Sequence, residues 1–345
     1  MDELETLIFR TDRIGDFIIS CPFIKSYKKN FPKNQIKLIS SEYNFNHIDK
    51  FEFISKTVPL KGKTKLFPKL IILIKMIIFL RKNKYKDIIV LDGKARSFFI
   101  SFFLKGNKSI LLQSKKLIIL GKFLGYKTVI NNEIQSQLKN FSFLANLIGF
   151  KISNKNPNIY DLVQLPKNFI LQKSYVILHL DEKWYSNLYY SDFTDINPDS
   201  NQIDFFIKKI LNILDDNFDL IVTTGNKKIK SLNEHVLNFT TIDNNVFKKI
   251  INNRTILYLN DISFDQLASL VSKSSLLICC EGAISHLSNN FNVPTLALYE
   301  KRRIQHTTFW TGHMNKISLF ERKKMNDLIS DENFFHKLKA CLIKS

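Results

Sequence analysis

A chain of 345 residues, 45% hydrophobic and 24% charged, has enough material for one or two buried cores and is not a wholly disordered polymer. Lysine and arginine outnumber the acids 51 to 31, a formal net charge of +20 that suits polyanions: nucleic acid, an anionic membrane surface or phosphorylated substrates. Part of that excess is compositional drift, since Lys, Asn, Ile and Phe are abundant beside only 10 Gly and 8 Pro, as an AT-biased genome would produce. The four cysteines (Cys21, Cys279, Cys280, Cys341) lack CxxC or Cys/His zinc spacing, which excludes a disulfide scaffold and points to a reducing compartment.

The acidic start, Met1 to Glu5, runs straight into a strand-like stretch, unlike a signal peptide. Strands are expected at Thr6–Phe9, Gln35–Ile39, Asp87–Leu91 and Ser109–Leu112, with helices near Phe17–Asn30, Leu66–Asn83, Ser97–Leu104 and Glu133–Leu147. The most apolar window, Leu66 to Leu80, is broken by Lys69 and Lys75 and falls short of the roughly 20 residues a spanning helix needs. It reads as an amphipathic helix on a sheet, with a membrane-surface helix as the minority reading because Arg81, Lys82, Lys84 and Lys86 follow. The stretch from Lys151 to Lys173 is the best linker. Beyond it, Tyr175–Leu180, Leu220–Thr224, Thr255–Leu259, Leu276–Cys280 and Thr295–Tyr299 read as strands, and 202–214, 264–273 and 284–290 as helices. Continuous apolar runs such as Leu-Leu-Ile-Cys-Cys imply parallel strands covered on both faces, and Ser263-Phe-Asp-Gln266 is a capping box. The expectation is α/β architecture twice over, with domains 1–165 and 166–345.

Three stretches could carry chemistry. Leu7 to Asp16 is a strand running into a Gly15-Asp16 turn, at the end of a parallel sheet where ligands sit. Asp16 there is either a general base or simply a helix cap, and position alone favours the cap. Cys279 to His286 is a second strand, small-residue turn and helix start, where backbone N–H groups suit phosphate. Glu281 in that turn suits a sugar hydroxyl or a cap, and His286 reads by default as a buried structural histidine. His179-Leu-Asp-Glu-Lys183-Trp184 follows a strong strand; Lys183 could neutralise a diphosphate, although a solvated loop lysine is the commoner fate. Gly225 ends the next strand as a turn over a nucleotide, or merely as a turn. There is no GxGxxG or GxxxxGK[ST] loop, no Gly-x-Ser-x-Gly, no Asp-x-Asp metal clamp and no histidine metal spacing.

Taken together these stretches resemble family 9 glycosyltransferases, the group that includes the ADP-heptose:lipopolysaccharide heptosyltransferases. Arg13-Ile-Gly-Asp16 is similar to the family's R-x-G-D, and Asp92-Gly93-Lys94-Ala95-Arg96 to a shortened D-x-x-G-x-x-R. The strongest stretch, Leu259 to Tyr299, follows D-[ST]-G-x-x-H-L-A and G-V-P-T through Glu281-Gly-Ala-Ile-Ser-His286-Leu and Val293-Pro-Thr-Leu-Ala-Leu. Glu281 stands for the usual Asp, Gly282-Ala283 replace Ser/Thr-Gly, and Lys227 and Lys228 occupy the region where relatives offer the ribose an acid.

The resemblance implies a GT-B architecture, two Rossmann-like doubly wound domains facing across a cleft, and inverting, metal-independent sugar transfer without a cofactor. Asp16 would be catalytic. Arg13, Lys94 and Arg96 would bind an anionic acceptor, a lipopolysaccharide-core or related cell-surface glycan. Lys183, Gly225, Glu281, Gly282, Ala283 and His286 would bind an ADP-heptose-like nucleotide-sugar. The expected location is cytoplasmic, with peripheral contact to the inner membrane surface. Two rivals stand beside this reading: a catalytically silent paralogue that binds a glycan or nucleotide, and a nucleic-acid-binding protein, against which the basic residues read as spread along the chain.

Overall fold

The structure is a computed structural model that describes residues 4–343 apart from 62–65, 170, 172, 185–198 and 226–229. The chain divides into two compact units, Met1–Ile159 with Thr308–His313, and Tyr160–Thr307 with Met314–Ser345. Each is an alternation of strand and helix around a parallel sheet.

The first unit begins β1 (Leu4–Arg10), α1 (Ile14–Asn30), β2 (Asn34–Ser41), α2 (Phe45–Ile48), β3 (Lys56–Leu60) and α3 (Leu66–Arg81). It continues with β4 (Tyr85–Val90), α4 (Ala95–Phe102), β5 (Asn107–Leu112), α5 (Lys115–Phe123), β6 (Lys127–Ile130) and α6 (Gln137–Ile148). The described strands pair in parallel in the order β3-β2-β1-β4-β5-β6. Chain order reverses between β1 and β4, the switch point at which such sheets open a crevice at their carboxyl ends. On one face α1 and α6 pack together through Phe23 and Phe141, ring centroids 6.1 Å apart. On the other, Ile77 and Leu80 of α3, Phe98 and Ile100 of α4 and Ile118 of α5 share one buried cluster with Leu7, Phe9, Ile88 and Val90. The apolar window of α3 is thus a helix packed on the sheet, and among the described residues no helix is long and apolar enough to cross a membrane.

The second unit runs β7 (Ser174–Leu180), α7 (Ser200–Ile213), β8 (Phe218–Thr224), α8 (Lys230–Val236), β9 (Thr240–Asp243), β10 (Val246–Ile251) and β11 (Arg254–Leu259). Then come α9 (Phe264–Ser272), β12 (Leu276–Cys280), α10 (Ala283–Asn290), β13 (Thr295–Tyr299), α11 (Ile304–Thr311, whose residues from Thr308 belong to the first unit), β14 (Ile317–Glu321), α12 (Met325–Ser330) and α13 (Glu332–Ile343). Its sheet order is β14-β13-β12-β7-β8-β11-β10-β9, with the switch between β7 and β12. β9 and β10 are antiparallel additions at the edge that the sequence reading lacks, as it also lacks β3, β6 and β14. Asn252 (φ 50°) and Asn253 (φ 59°) make the two-residue turn between β10 and β11, a left-handed pair that asparagine tolerates. The expected capping box opens α9: Ser263 Oγ accepts from the Gln266 N–H at 3.2 Å and Gln266 Oε1 from the Ser263 N–H at 2.9 Å.

Helix α1 starts at Ile14, earlier than the pattern implies, and carries Pro22 inside it, as the expected span also does. An internal proline removes a helix hydrogen bond, commonly worth about 3 kcal/mol, and the near-complete burial of Phe17 to Ile24 offsets that loss through packing.

Arg10, at the end of β1, is 2% exposed and ties three elements together. Its Nη1 donates to the Leu91 carbonyl after β4 at 2.8 Å, and its Nε to the Asp16 carbonyl in α1 at 2.9 Å. Its guanidinium also lies 5.6 Å from the ring centre of Phe141 in α6. Arg10→Met should keep the volume and lose these bonds, taking from the buried Leu91 carbonyl the donor it has here. We expect a loss of about 3 kcal/mol in urea unfolding, and a change under about 0.5 kcal/mol would show that the guanidinium holds nothing.

Candidate functional site

Both switch points collect charged side chains. In the first unit, β1 ends in Arg10 and the chain turns through Thr11, Asp12 and Arg13 into α1. Arg13 is the exposed N-cap residue. Asp16 does cap the helix, as the cap reading of the sequence has it, but from the first turn rather than as the N-cap residue: its Oδ2 accepts the Arg13 N–H at 3.0 Å. Its Oδ1 lies 3.8 Å from Arg10 Nη2, and the side chain remains 22% exposed. Burial raises the Asp16 pKa above the ordinary carboxylate value, Arg10 opposes this, and the neighbouring Asp12 adds to it. A carboxylate so placed is reachable, oriented and a better proton acceptor than an unperturbed one.

Across the switch, after β4, Asp92 is buried and organises the turn. It accepts from Thr11 Oγ1 and from Ser97 Oγ, each at 2.6 Å, and from the Lys94 N–H at 3.1 Å. Burial pushes its pKa up, with Asp12 reinforcing the shift. Lys94 pairs with Asp12 and donates to the Thr11 carbonyl at 3.1 Å. Arg96 donates to Thr11 Oγ1 at 2.8 Å and to the Thr11 carbonyl at 3.3 Å. The structure therefore brings Arg13, Asp16, Lys94 and Arg96 to one switch point. It also engages Lys94 and Arg96 with the 11–12 turn, so that an anionic ligand would share them with that turn. The sequence reading missed Arg10 and Asp12 as members of this cluster. Their one signal is a charged residue closing the apolar run Leu7-Ile8-Phe9.

In the second unit the switch lies between β7 and β12. After β7, Asp181 Oδ1 accepts the Lys183 N–H at 3.1 Å and the short helical turn Glu182–Trp184 follows. Trp184 is buried, with its indole N–H on the His179 carbonyl at 2.9 Å. Lys183 is not a solvated loop lysine: Nζ reaches over the switch point and donates to the carbonyl of Glu281, at the end of β12. Burial works against its charge, but the Asp181 and Glu281 carboxylates outweigh burial and raise its pKa. The result is a fixed cation at the place where doubly wound sheets receive phosphates.

The turn Glu281-Gly282 leads into α10. The Gly282 N–H donates to Ser285 Oγ at 3.2 Å, and Ser285 Oγ to the Gly282 carbonyl at 2.7 Å. A Cβ at position 282 would meet Lys183 Nζ, so glycine there keeps the lysine in place. At Gly225, after β8, a Cβ would come within 3.0 Å of Asp181 Cβ and of Glu182 Oε2. Lys183, Gly225, Glu281, Gly282 and Ala283 are thus neighbouring loops of one sheet end. His286 is one turn further into α10 and buried, the structural position first read for it. Asn226, Lys227 and Lys228 lie outside the described residues.

His179, paired through Nδ1 with Thr223 Oγ1 at 2.9 Å, is held neutral by burial, its pKa lowered to about 3 with Lys183 assisting. Asp181 is raised to about 6 by burial, which Lys183 opposes. A raised folded-state pKa means that the carboxyl's contribution to stability is complete below about pH 3.8 and is lost as pH rises through about 6. Asp181→Asn removes that titration. Between about pH 4 and pH 6 the unfolding free energy of the variant should gain on the wild type by up to about 3 kcal/mol, then run parallel above about pH 7. Parallel curves throughout in pH-dependent thermal unfolding would refute the buried-acid assignment.

Comparison with known proteins now bears on this geometry. The family model for glycosyltransferase family 9 (heptosyltransferase) matches residues 244–336, from β10 into α13. No curated protein matches the sequence. The fold of the whole chain is similar to that of the Escherichia coli heptosyltransferase WaaC solved with ADP: TM-score 0.66, 12% identity, 97% of this chain and 100% of that one. A family 9 glycosyltransferase from Veillonella parvula gives a TM-score of 0.67 at 13% identity, over 100% of this chain and 98% of that one. The E. coli ADP-heptose lipopolysaccharide heptosyltransferase II gives 0.63 at 11% identity, over 99% of both. The expected GT-B fold of two Rossmann-like domains is therefore present. The family match over β10–α13 and this fold agree: the chain is similar to family 9 glycosyltransferases, in sequence over residues 244–336 and in fold over its whole length.

Proposed function

We propose that the protein is an inverting glycosyltransferase that moves a heptose-like sugar from a nucleoside-diphosphate donor to a hydroxyl of an anionic cell-surface glycan, without a metal. What supports the reading is a raised, reachable carboxylate at the first unit's switch point and, separately, a fixed cation at the second unit's, each where its own sheet receives a ligand. Asp16 takes the proton of the acceptor hydroxyl as its oxygen attacks the anomeric carbon. The new C–O bond forms as the bond to the diphosphate breaks, so the configuration inverts. The leaving diphosphate takes the bonding pair, and Lys183 with the N–H groups of Gly282 and Ala283 stabilises the charge. Gly225 and Glu281 border the donor, with Glu281 on a sugar or ribose hydroxyl. Arg13, Lys94 and Arg96 face the acceptor's anionic groups. Solved heptosyltransferases carry ADP and an ADP-heptose analogue, which makes ADP the first nucleotide to try.

Asp16→Asn tests the base. Asparagine Oδ1 still accepts the Arg13 N–H, so α1 keeps its start while the proton acceptor is lost. Turnover with an ADP-sugar panel should fall about 10²–10⁴-fold with donor affinity unchanged. Because the Asp16 pKa is raised, the wild-type kcat/KM should fall on the acid side above the ordinary carboxylate range, a limb the variant lacks. Near-wild-type turnover by the variant would remove Asp16 from catalysis.

Lys183→Ala should weaken ADP binding in calorimetry by about 10- to 100-fold, the worth of one charge-assisted hydrogen bond. It should also lower the melting temperature, because Asp181 then loses its counter-charge. EDTA in the same assay should leave both binding and turnover unchanged; strict dependence on Mg²⁺ or Mn²⁺ would contradict the part given to Lys183.

A further inference from the structure

The positive charge that reads as spread along the chain is in fact concentrated. Residues 53–132 hold eighteen lysines and arginines against two acids, and so supply sixteen of the twenty net charges. Neither acid neutralises the surface of this segment: Asp92 is buried in its turn, and Asp87 accepts a 2.6 Å bond from the Tyr27 hydroxyl. The segment includes α3, α4 and α5, the layer that covers one face of the first sheet, and Lys75, Arg81, Lys115, Lys116 and Lys122 are carried by α3 and α5.

The outer side of this layer is apolar as well as basic. Helix α3 buries Ile77 and Leu80 but turns Leu70, Ile74 and Ile78 outward at a spacing of four, one stripe of its surface, with Lys75 and Lys82 alongside. Helix α4 buries Phe98 and Ile100 and exposes Phe99, Phe102 and Phe103. Helix α5 buries Ile118 and exposes Ile119 and Phe123, the latter 86% exposed, between Lys115, Lys116 and Lys122. Helices α3 and α4 touch, and Phe98 of α4 lies 3.7 Å from the position a Cβ would take at Gly121 of α5. Three adjacent helices thus expose isoleucine, leucine and phenylalanine while their other sides fill the core. Exposure on this scale is a cost in water unless something covers it.

We propose that the α3–α4–α5 face of the first unit docks on an anionic lipid bilayer, its isoleucines and phenylalanines entering the headgroup–acyl boundary and its lysines meeting the lipid phosphates. Charge complementarity chooses the occupant. A second copy of this face would bring one strongly positive surface against another. An RNA would satisfy the lysines and could stack on the exposed phenylalanines of α4 and α5, but it would leave the aliphatic stripe of α3 uncovered. A bilayer satisfies both the apolar and the cationic halves at once. The inference rests on this surface alone and is independent of the proposed transfer reaction.

Co-sedimentation of the full chain with vesicles tests it. Vesicles of phosphatidylcholine with about a third phosphatidylglycerol should carry the protein down, phosphatidylcholine alone should carry little, and added salt should release it. Ile78→Ser/Ile119→Ser/Phe123→Ser replaces only exposed positions and should remain folded by circular dichroism while losing most of the binding. Lys82→Gln/Lys116→Gln, which leaves every apolar group in place, should lower the partition coefficient about fivefold per charge removed. No sedimentation with either vesicle would overturn the proposal, as would binding that neither variant changes. So would a concentration-dependent dimer that the serine variant dissociates, or retention on RNA at physiological salt without binding to vesicles.

Discussion

The buried guanidinium of Arg10 is the constraint on which the first switch point depends. A cation 2% exposed needs partners, and here Nε and Nη1 find carbonyls from α1 and from the end of β4, with the Asp12 carboxylate 3.2 Å from Nη1, while Nη2 makes no hydrogen bond and lies 3.8 Å from the Asp16 carboxylate. Those bonds fix where β1 stops, how the 11–13 turn runs and where α1 begins. Because α1 begins there, Asp16 falls in its first turn with one oxygen on a backbone N–H. Asp92 supplies the second fixed point, since Thr11 from one side and Ser97 from the other share a single carboxylate oxygen. The candidate base is held by a frame that joins local bonds to two long-range ones, Arg10 to the Leu91 carbonyl and Thr11 to Asp92.

The second unit solves a similar problem with charges of the same sign. Here the group that crosses the switch is Lys183, and the carboxyl beneath it, Asp181, is the one that burial raises. The small residues beside it are part of the same arrangement: side chains at 225 or 282 would meet Asp181 or Lys183. A cation held by a backbone carbonyl and two nearby acids needs little reorganisation when a diphosphate arrives, and that readiness is what electrostatic stabilisation of a leaving group requires.

A doubly wound sheet leaves its two faces to helices and its carboxyl ends to ligands. In the first unit one helical layer, α1 with α6, packs its aromatic residues together, whereas the α3–α4–α5 layer keeps many of its own outside. The difference lies in the helices. α3 has no polar side to present, because its only charges are lysines and one arginine set among isoleucines and leucines. Such a helix fills a core with one side and still has an apolar one left over.

The sequence by itself determined the local order of strand and helix and the places where chemistry could lie. Apolar runs mark β1, β2, β7, β8, β11, β12 and β13, and Ser263 with Gln266 marks the start of α9, because these signals depend only on residues a few positions apart. The short or half-exposed strands β3, β6, β9, β10 and β14 carry weak patterns, and their identity comes from the neighbour that each pairs with. Tertiary structure alone decided that Asp16 sits inside the helix, that Lys183 is bound across to Glu281, and that Arg10, Asp12 and Asp92 belong to one cluster. It decided as well that Lys75, Lys115, Lys116 and Lys122, up to 47 positions apart in the chain, are carried by helices of one layer. Strand order decided these things: β1 lies beside β4, and β7 beside β12, only once the crossovers are made, and a switch point is a property of that order rather than of any segment.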